Sequence, residues 1–222
     1  GAALIDKPLM QNVLADLDRP VNGLRLGVQR RWFFDDLAPA TTDAMNQALA
    51  VFEAMGVELV EIDLGDVERS HDLLAFKVLL ADAYHVHAEG LEQRPDDYGR
   101  DVYTRAMLGK AVTGSEYAGA LRWNEGFKQR LRGVFEHVDA IVSPTIPFGA
   151  PEAQTGQEGD DWFETIRAIT RFTYCWSFAG VPALSVPCGQ DEHGMPLGMQ
   201  LAAPWFDEST VLRLGLSLIH IS

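Results

Sequence analysis

Cysteine is scarce in this sequence, which has Cys175 and Cys188 as its two cysteines among 222 residues. Two thiols allow one disulfide at most and cannot supply the ligands of a cysteine-rich zinc site. A reactive thiol also needs a base or a positive neighbourhood that lowers its pKa, whereas aromatic residues surround Cys175 in the sequence. Both cysteines are therefore predicted to be small buried hydrophobic residues.

Basic residues are also few. The chain has 18 lysines and arginines against 32 aspartates and glutamates, a formal net charge of −14. A surface of that charge repels phosphate backbones and anionic headgroups, so we predict neither a nucleic-acid nor a membrane partner. No apolar stretch approaches the ~20 residues that a bilayer crossing requires. The first ten residues lack the features of a secretory signal, which favours a cytoplasmic protein.

The common catalytic and cofactor motifs are absent as well. The sequence has no phosphate-binding glycine loop, no G-x-S-x-G elbow and no H-E-x-x-H pair. The residues most like a metal site are Asp82, His85, His87 and Glu89. On a helix, residues two apart point in nearly opposite directions, so His85 and His87 cannot share one ion. We therefore predict no nucleotide-binding loop and no metal.

A strand, a helix and a second strand are predicted near the start of the chain. Residues 24–28 alternate between apolar and polar or small side chains, the period of a half-buried strand. An apolar helical stripe follows, opened by Thr41 or Thr42 and ended by Gly56 in a left-handed cap. Residues 57–62 have the composition of a strand. Such a unit builds a parallel sheet with a right-handed crossover.

Helices are predicted for the middle of the chain. Residues 70–138 contain no convincing strand, and apolar residues recur there at helical spacing. Thr113 and Glu116 match a capping box that opens a long helix expected to bury Leu121. A single aromatic-rich helix is predicted over residues 162–178.

The remaining strands complete a sheet. Residues 140–142 are predicted to form a buried strand, and residues 183–187 and 197–201 a pair that is close enough in sequence to be antiparallel. We therefore predict an α/β fold in which helices cover a mixed β-sheet.

A binding pocket is expected where the buried strand ends. Ser143, Pro144 and Thr145 leave that strand and enter a loop, and ligands of open α/β sheets collect at such strand ends. The aromatic segment 162–178 is core by default, but its composition also suits a small-molecule pocket wall. The residues alone thus indicate a pocket-forming α/β protein without an identifiable catalytic group.

Four sequence blocks stand in a fixed order, VNGLRLGV at 21–28, DAIVSPTIP at 139–147, GVPALSVPCG at 180–189 and GMPLGMQL at 194–201. Together they resemble the C-terminal half of the amidase-signature family. The resemblance implies that residues 1–215 are the C-terminal portion of an amidase-signature domain, so that the fold of the family is incomplete in this chain.

The resemblance also implies an amide hydrolase with a Ser, cis-Ser, Lys triad and no cofactor. In that family the lysine acts as base through the bridging serine, and the other serine attacks the amide carbon while backbone N–H groups hold the oxyanion. The triad belongs to a glycine- and serine-rich region upstream of these blocks, and no such run occurs in this chain. No catalytic residue is therefore carried over, and we expect the chain alone to be inactive.

The expected partner of the parent protein is a small-molecule amide substrate, and a homodimer of the full-length parent is left open. By their place near the strand end and the aromatic helix, five residues are expected to line the substrate pocket: Thr145, Ile146, Phe148, Phe172 and Trp176.

Two alternatives to a generic amidase remain. The A subunits of tRNA-dependent amidotransferases usually carry an aspartate where Thr170 stands here, and the family often has an asparagine where Ser177 and Phe178 lie. These departures make an amidotransferase component less favoured than an amidase. The other alternative is a non-catalytic α/β binding domain or a pseudo-enzyme.

The last seven residues, LSLIHIS at 216–222, resemble the translation of a transposon end used in sequencing-library preparation. We predict that this tail is non-native and leave it out of the fold prediction. The alternative is a real helix tail, because Leu216 and Leu218 are ordinary core residues.

Overall fold

The computed structural model describes residue 17, residues 19–151 and residues 160–219, with the backbone alone at 160–163. The chain divides into two compact units. The first contains the described residues up to Leu64, then Leu131–Pro151 and the residues from Gly180 onward. The second contains Gly65–Arg130 and the described residues from 160 to Ala179.

The elements follow one another in a mixed order of strands and helices. In chain order they are β1 (Arg25–Val28), α1 (Pro39–Ala54), β2 (Glu58–Glu61), a π-helix (His71–Leu79), α2 (Leu80–Gln93), α3 (Arg100–Leu108), α4 (Gly114–Phe135), β3 (Ala140–Pro144), α5 (Asp160–Thr170), α6 (Tyr174–Ala179), β4 (Ala183–Gln190), β5 (Pro196–Ala202) and α7 (Glu208–Ile219). Short 3₁₀ turns at Pro95–Asp97 and Gly109–Ala111 flank α3.

The five strands of the described residues form one mixed sheet in the first unit, in the order β2-β1-β3-β5-β4. β1 pairs in parallel with both β2 and β3. β5 runs antiparallel to β3 and to β4. The predicted α/β class, the parallel β1–β2 unit and the antiparallel β4–β5 pair are confirmed.

One face of this sheet carries the core of the first unit. Leu26, Val142 and Leu201 are buried there with apolar residues of α1 and α7, among them Phe52 and Leu214. The strand residues project on this side at every second position, as the period of a β-strand requires. Burying such side chains contributes about 1.5–3 kcal/mol each relative to exposure.

Helix α1 ends where its sequence predicts but begins earlier, because its N-cap is Ala38, three residues before Thr41 and four before Thr42. Pro39 stands at the first helical turn, where its fixed φ suits the helix and its missing N–H is no loss. Thr41, one of the two expected caps, is therefore inside the helix and buried. Gly56 adopts φ of 82°, the left-handed conformation expected just after the helix end.

The second unit is helical, as predicted for residues 70–138. Its π-helix and α4 pack together through Leu74, Val78 and Ala120. The capping box of α4 is confirmed atom by atom: the Glu116 N–H donates to Thr113 Oγ1 at 3.2 Å, and the Thr113 N–H donates to Glu116 Oε2 at 2.9 Å. The predicted burial of Leu121 is wrong, because this residue lies on the outer side of α4 and is 39% exposed.

The prediction of a single helix over 162–178 is wrong, because this segment forms two helices, α5 and α6. Between them, the Thr173 N–H and the Thr173 hydroxyl both donate to the Thr170 carbonyl, at 3.2 and 3.1 Å. These short-range bonds replace the regular helical ladder, as threonine side chains allow. The side chains of Trp162 and Phe163, part of the aromatic prediction, lie outside the described residues.

The predicted tail at 216–222 overlaps the end of the described structure. Residues 216–219 belong to α7, in which Leu218 is buried, and residues 220–222 lie outside the described residues. An apolar segment joined to a helix can continue it whatever its origin, so the tail stays a prediction. Among the described helices, none combines the length and the apolar character needed to cross a membrane.

Candidate functional site

A polar row crosses three strands at the carboxyl end of β3. Ser143 of β3 lies opposite Gln200 of β5, and Gln200 lies opposite Ser185 of β4. The Gln200 side-chain amide donates to Ser143 Oγ at 3.3 Å, and both residues are buried. Burial of these polar groups is tolerated because they bond to each other. This row places polar side chains at the carboxyl end of β3.

A pair of hydroxyl groups continues the row toward solvent. Thr145 Oγ1 and Ser185 Oγ lie 2.7 Å apart, and we refer to them as the hydroxyl pair. The Thr145 N–H donates to the Gly198 carbonyl at 2.8 Å, which aligns Thr145 beside β5. A Cβ on Gly198 would lie 2.9 Å from Thr145 Oγ1 and 3.2 Å from Ser185 Oγ. The absence of a side chain at Gly198 thus makes room for the pair.

The loop after Thr145 carries two predicted pocket residues. Ile146 and Phe148 are half-buried, whereas Pro147 between them is buried. The Pro147 carbonyl accepts the Ala38 N–H at 2.8 Å, which ties the loop to the start of α1. The loop therefore presents partly accessible apolar side chains next to the hydroxyl pair, a combination typical of small-molecule sites.

The other two predicted pocket residues belong to the second unit. Phe172 is 0% exposed and Trp176 is 1% exposed. The guanidinium of Arg171 lies 4.4 Å from the centre of the Phe172 ring. The five predicted residues are thus divided between the two units, three in the first and two in the second. That they converge on one pocket stays a prediction.

His71, at the start of the π-helix, is a buried polar residue of the second unit. Its Nε2 lies 3.1 Å from Thr170 Oγ1, and the Thr170 hydroxyl donates to the Ile166 carbonyl at 2.7 Å. Since a hydroxyl has one proton to donate, we infer that His71 Nε2 carries the hydrogen of their bond. Burial, followed by the positive charge of Arg167, lowers the pKa of His71, which favours the neutral ring.

Comparison with known proteins identifies the family. A family model described as Amidase matches residues 5–212. The chain belongs to the amidase family. Among curated proteins, it is 30% identical to an amidase of Pseudomonas putida over 96% of the chain and 46% of that relative. It is 29% identical to the A subunit of the glutamyl-tRNA(Gln) amidotransferase of Myxococcus xanthus, over 90% of the chain and 46% of that relative.

Solved structures of amidase-family proteins have the same fold. One, described as an amidase, gives a TM-score of 0.80 at 25% identity and covers 91% of this chain and 46% of its own. The A subunit of the glutamyl-tRNA(Gln) amidotransferase of Thermotoga maritima gives a TM-score of 0.65 at 22% identity, covering 91% of this chain and 43% of its own. The amidase-family chain therefore spans about half the length of the curated relatives that it matches, 46% for the two named above.

The thiols of this amidase-family chain are poor nucleophiles. Burial raises the pKa of Cys188 to about 11, and complete burial raises the pKa of Cys175 further. Desolvation has this effect because it disfavours the thiolate. Cys175 is buried as predicted, whereas Cys188 is only half-buried.

Metal ligands are not grouped in the part of the chain that the structure describes: no three His, Cys, Asp or Glu residues there could hold an ion. His85 and His87, the histidines of the metal-like sequence cluster, are both exposed on α2.

Sequence reasoning missed Ser185 and Gln200 as members of the polar row in the first unit, and it missed His71 as a buried polar residue of the second unit. Ser185 and Gln200 lie at positions that alternate with the buried Val186 and Leu201, so the period of each strand was a usable signal. The register that brings Gln200 opposite Ser143 has no local signal, because the two residues are 57 positions apart. His71 also had none, since its partner Thr170 is 99 positions away.

Proposed function

We propose that this chain is part of an amide hydrolase, which cleaves the carbon–nitrogen bond of a small carboxylic amide to an acid and ammonia or an amine. The observation that carries the proposal is the family match over residues 5–212. The 30% identical Pseudomonas putida relative, itself an amidase, supports it. The site at the carboxyl end of β3 suits a small polar substrate. It combines the hydroxyl pair with the partly accessible apolar side chains of Ile146 and Phe148.

The serine nucleophile is proposed to lie in polypeptide upstream of this chain, within a Ser, cis-Ser, Lys triad. Activation of a serine requires a base within hydrogen-bond reach. The hydroxyls of Ser143 and Ser185 instead contact the Gln200 amide and the Thr145 hydroxyl, neither of which is a base. The thiols, with raised pKa values, do not replace them. The chain alone is accordingly proposed to be inactive and to use no cofactor.

The role proposed for this chain is to form a wall of the substrate pocket. Thr145, Ile146 and Phe148 supply a hydroxyl and two apolar side chains at the end of β3. Phe172 and Trp176, which belong to the second unit, remain predicted aromatic residues of the substrate pocket. Such a wall orients the amide by shape and by a few polar contacts, while the atoms that break the bond come from the triad.

A second candidate function is that of an A subunit in a tRNA-dependent amidotransferase, since several curated relatives carry that name, including the one from Myxococcus xanthus. By the resemblance, such subunits usually carry an aspartate at the position of Thr170. Thr170 is uncharged, and its hydroxyl is engaged by His71 and the Ile166 carbonyl. In such subunits, the resemblance assigns that aspartate to the cationic amino group of the glutamine substrate. With Thr170 in its place this amino group lacks its counter-charge, which favours the amidase. The remaining alternative is a non-catalytic binding domain or pseudo-enzyme.

The test is to express the product of the complete reading frame and to measure ammonia or amine release from a panel of small carboxylic amides. Hydrolysis by the purified protein supports the amidase. Activity that depends on glutamine and on co-purifying partner chains supports the amidotransferase. Binding of amides without turnover supports the pseudo-enzyme, and size-exclusion chromatography of the same sample decides whether the parent is a homodimer.

A further inference from the structure

The β4–β5 turn is organised by a single carboxylate, that of Asp191. Its Oδ1 accepts the backbone N–H groups of His193 and Met195, at 2.9 and 2.8 Å. The Asp191 N–H donates to the Met195 carbonyl at 2.9 Å, and the Gly194 N–H donates to the Asp191 carbonyl at 3.0 Å. Because both the side chain and the backbone of Asp191 are bonded within the turn, its carboxylate has a fixed position.

The second carboxylate oxygen of Asp191 faces the loop that leaves β3. A Cβ built on Gly149 would overlap Asp191 Oδ2 and would lie 2.9 Å from Asp191 Cγ. Gly149 is not among the glycines with positive φ. A glycine is therefore needed at this position because of the closeness of the carboxylate, and not because of the backbone conformation.

This contact is the third of a series along the loop. The Thr145 N–H bonds to the Gly198 carbonyl, the Pro147 carbonyl bonds to the Ala38 N–H, both at 2.8 Å, and Gly149 abuts Asp191. The contacts fall on alternate residues, 145, 147 and 149. The residues between them are Ile146 and Phe148, the two half-buried apolar residues of the proposed pocket wall.

We propose that Asp191 is a positioning residue for the substrate pocket: through Gly149 it sets where the loop places Ile146 and Phe148. This inference rests on the proposed function. Asp191 acts through the loop, without touching the substrate or the reacting atoms. Removing its carboxylate opens space beside Gly149 into which the far end of the loop can shift, so it weakens substrate binding and leaves the bond-breaking step unchanged.

The experiment uses the complete parent protein and five variants: Asp191→Ala, Asp191→Asn, Gly149→Ala, the double variant Asp191→Ala with Gly149→Ala, and the control Glu192→Ala. Asp191→Ala is expected to raise KM about tenfold with kcat within about twofold, the pattern of lost binding that is uniform between ground and transition state. Asp191→Asn keeps the shape and the Oδ1 acceptor, so its KM should stay near the wild-type value. Glu192 is exposed beside the turn, and its variant should change neither constant.

The clash at Gly149 supplies a second, independent readout. Gly149→Ala should raise KM in the wild-type background, but far less in the Asp191→Ala background, where the overlapping carboxylate is gone. Equal effects of Gly149→Ala in both backgrounds would overturn the proposal. So would an Asp191→Ala variant that is less stable to heat but has an unchanged KM.

Hydrogen exchange separates this proposal from the proposed function. The amides of Ala38 and Thr145, which donate to the Pro147 and Gly198 carbonyls, should exchange faster in Asp191→Ala than in Asp191→Asn or Glu192→Ala. If the parent hydrolyses no amide but shows this pattern, the proposed function fails and Asp191 still positions the loop. Unchanged exchange in Asp191→Ala would reject the positioning role whether or not the parent is active.

Discussion

The reactivity of Cys188 provides a quantitative check on the packing of the first unit. The Cys188 side chain is half-buried, its Sγ donates to the Leu197 carbonyl at 3.5 Å, and burial raises its pKa from 9.0 to about 11. At pH 8 the thiolate fraction then falls from about one tenth to about one thousandth, since each pKa unit is a factor of ten. Because the thiolate is the nucleophile, attack on a disulfide reagent should be slower than for a free cysteine, by at most about 100-fold because a more basic thiolate is also more nucleophilic.

The assay follows the absorbance of a chromogenic disulfide reagent at pH 8 with the wild-type chain, Cys175→Ser and Cys188→Ser. Two thiols should react rapidly in concentrated urea. In native buffer Cys175→Ser should report the slow reaction of Cys188. Cys188→Ser should be nearly unreactive, because Cys175 is fully buried and its Sγ contacts the Phe172 carbonyl. Native rates equal to those of free cysteine would show that neither thiol is packed as described.

Two predictions concern protonation in the second unit. Burial lowers the pKa of His71 below its ordinary 6.5, so the unfolded chain binds this proton more readily. The free energy of unfolding should thus be highest above about pH 6.5 and decline below it. Urea titrations at several pH values should show a weaker decline in His71→Gln. An equal decline in both proteins would contradict the lowered pKa of His71. Lys77 and the Thr113 cap lower the pKa of Glu116 to about 2, so the stability it contributes is present above its ordinary 4.5 and is lost as the pH falls toward 2. Thr113→Ala should cost about 1 kcal/mol of stability at pH 7, as for other helix caps, and a calorimetric change near zero would mean that the capping box is not formed.

Local chemistry explains which elements could be predicted. The capping box of Thr113 and Glu116, the left-handed cap at Gly56 and the antiparallel pairing of β4 with β5 each depend on residues close in sequence. Their bonds can therefore be inferred from spacing. The break between α5 and α6 could not, because threonines at 170 and 173 are compatible with a helix until their hydroxyl and backbone bonds are seen.

The candidate site could be predicted only in part, for a physical reason. Thr145 could be placed at a strand end because the buried strand before it is visible in the sequence. Its partner Ser185 is 40 positions away, and Asp191 and Gly149 meet only through the fold. Such contacts depend on strand register and on the path of a loop, which a single sequence does not encode locally.

The residues of this chain are proposed to supply architecture and a pocket wall, while the bond-breaking atoms belong to upstream polypeptide. The decisive experiment compares ammonia release from small amides by the purified 222-residue chain and by the complete parent at equal concentration. We expect turnover by the parent and none by the chain. Turnover by the chain that is lost on mutating one of its own serines, such as Ser143 or Ser185, would contradict this division of roles.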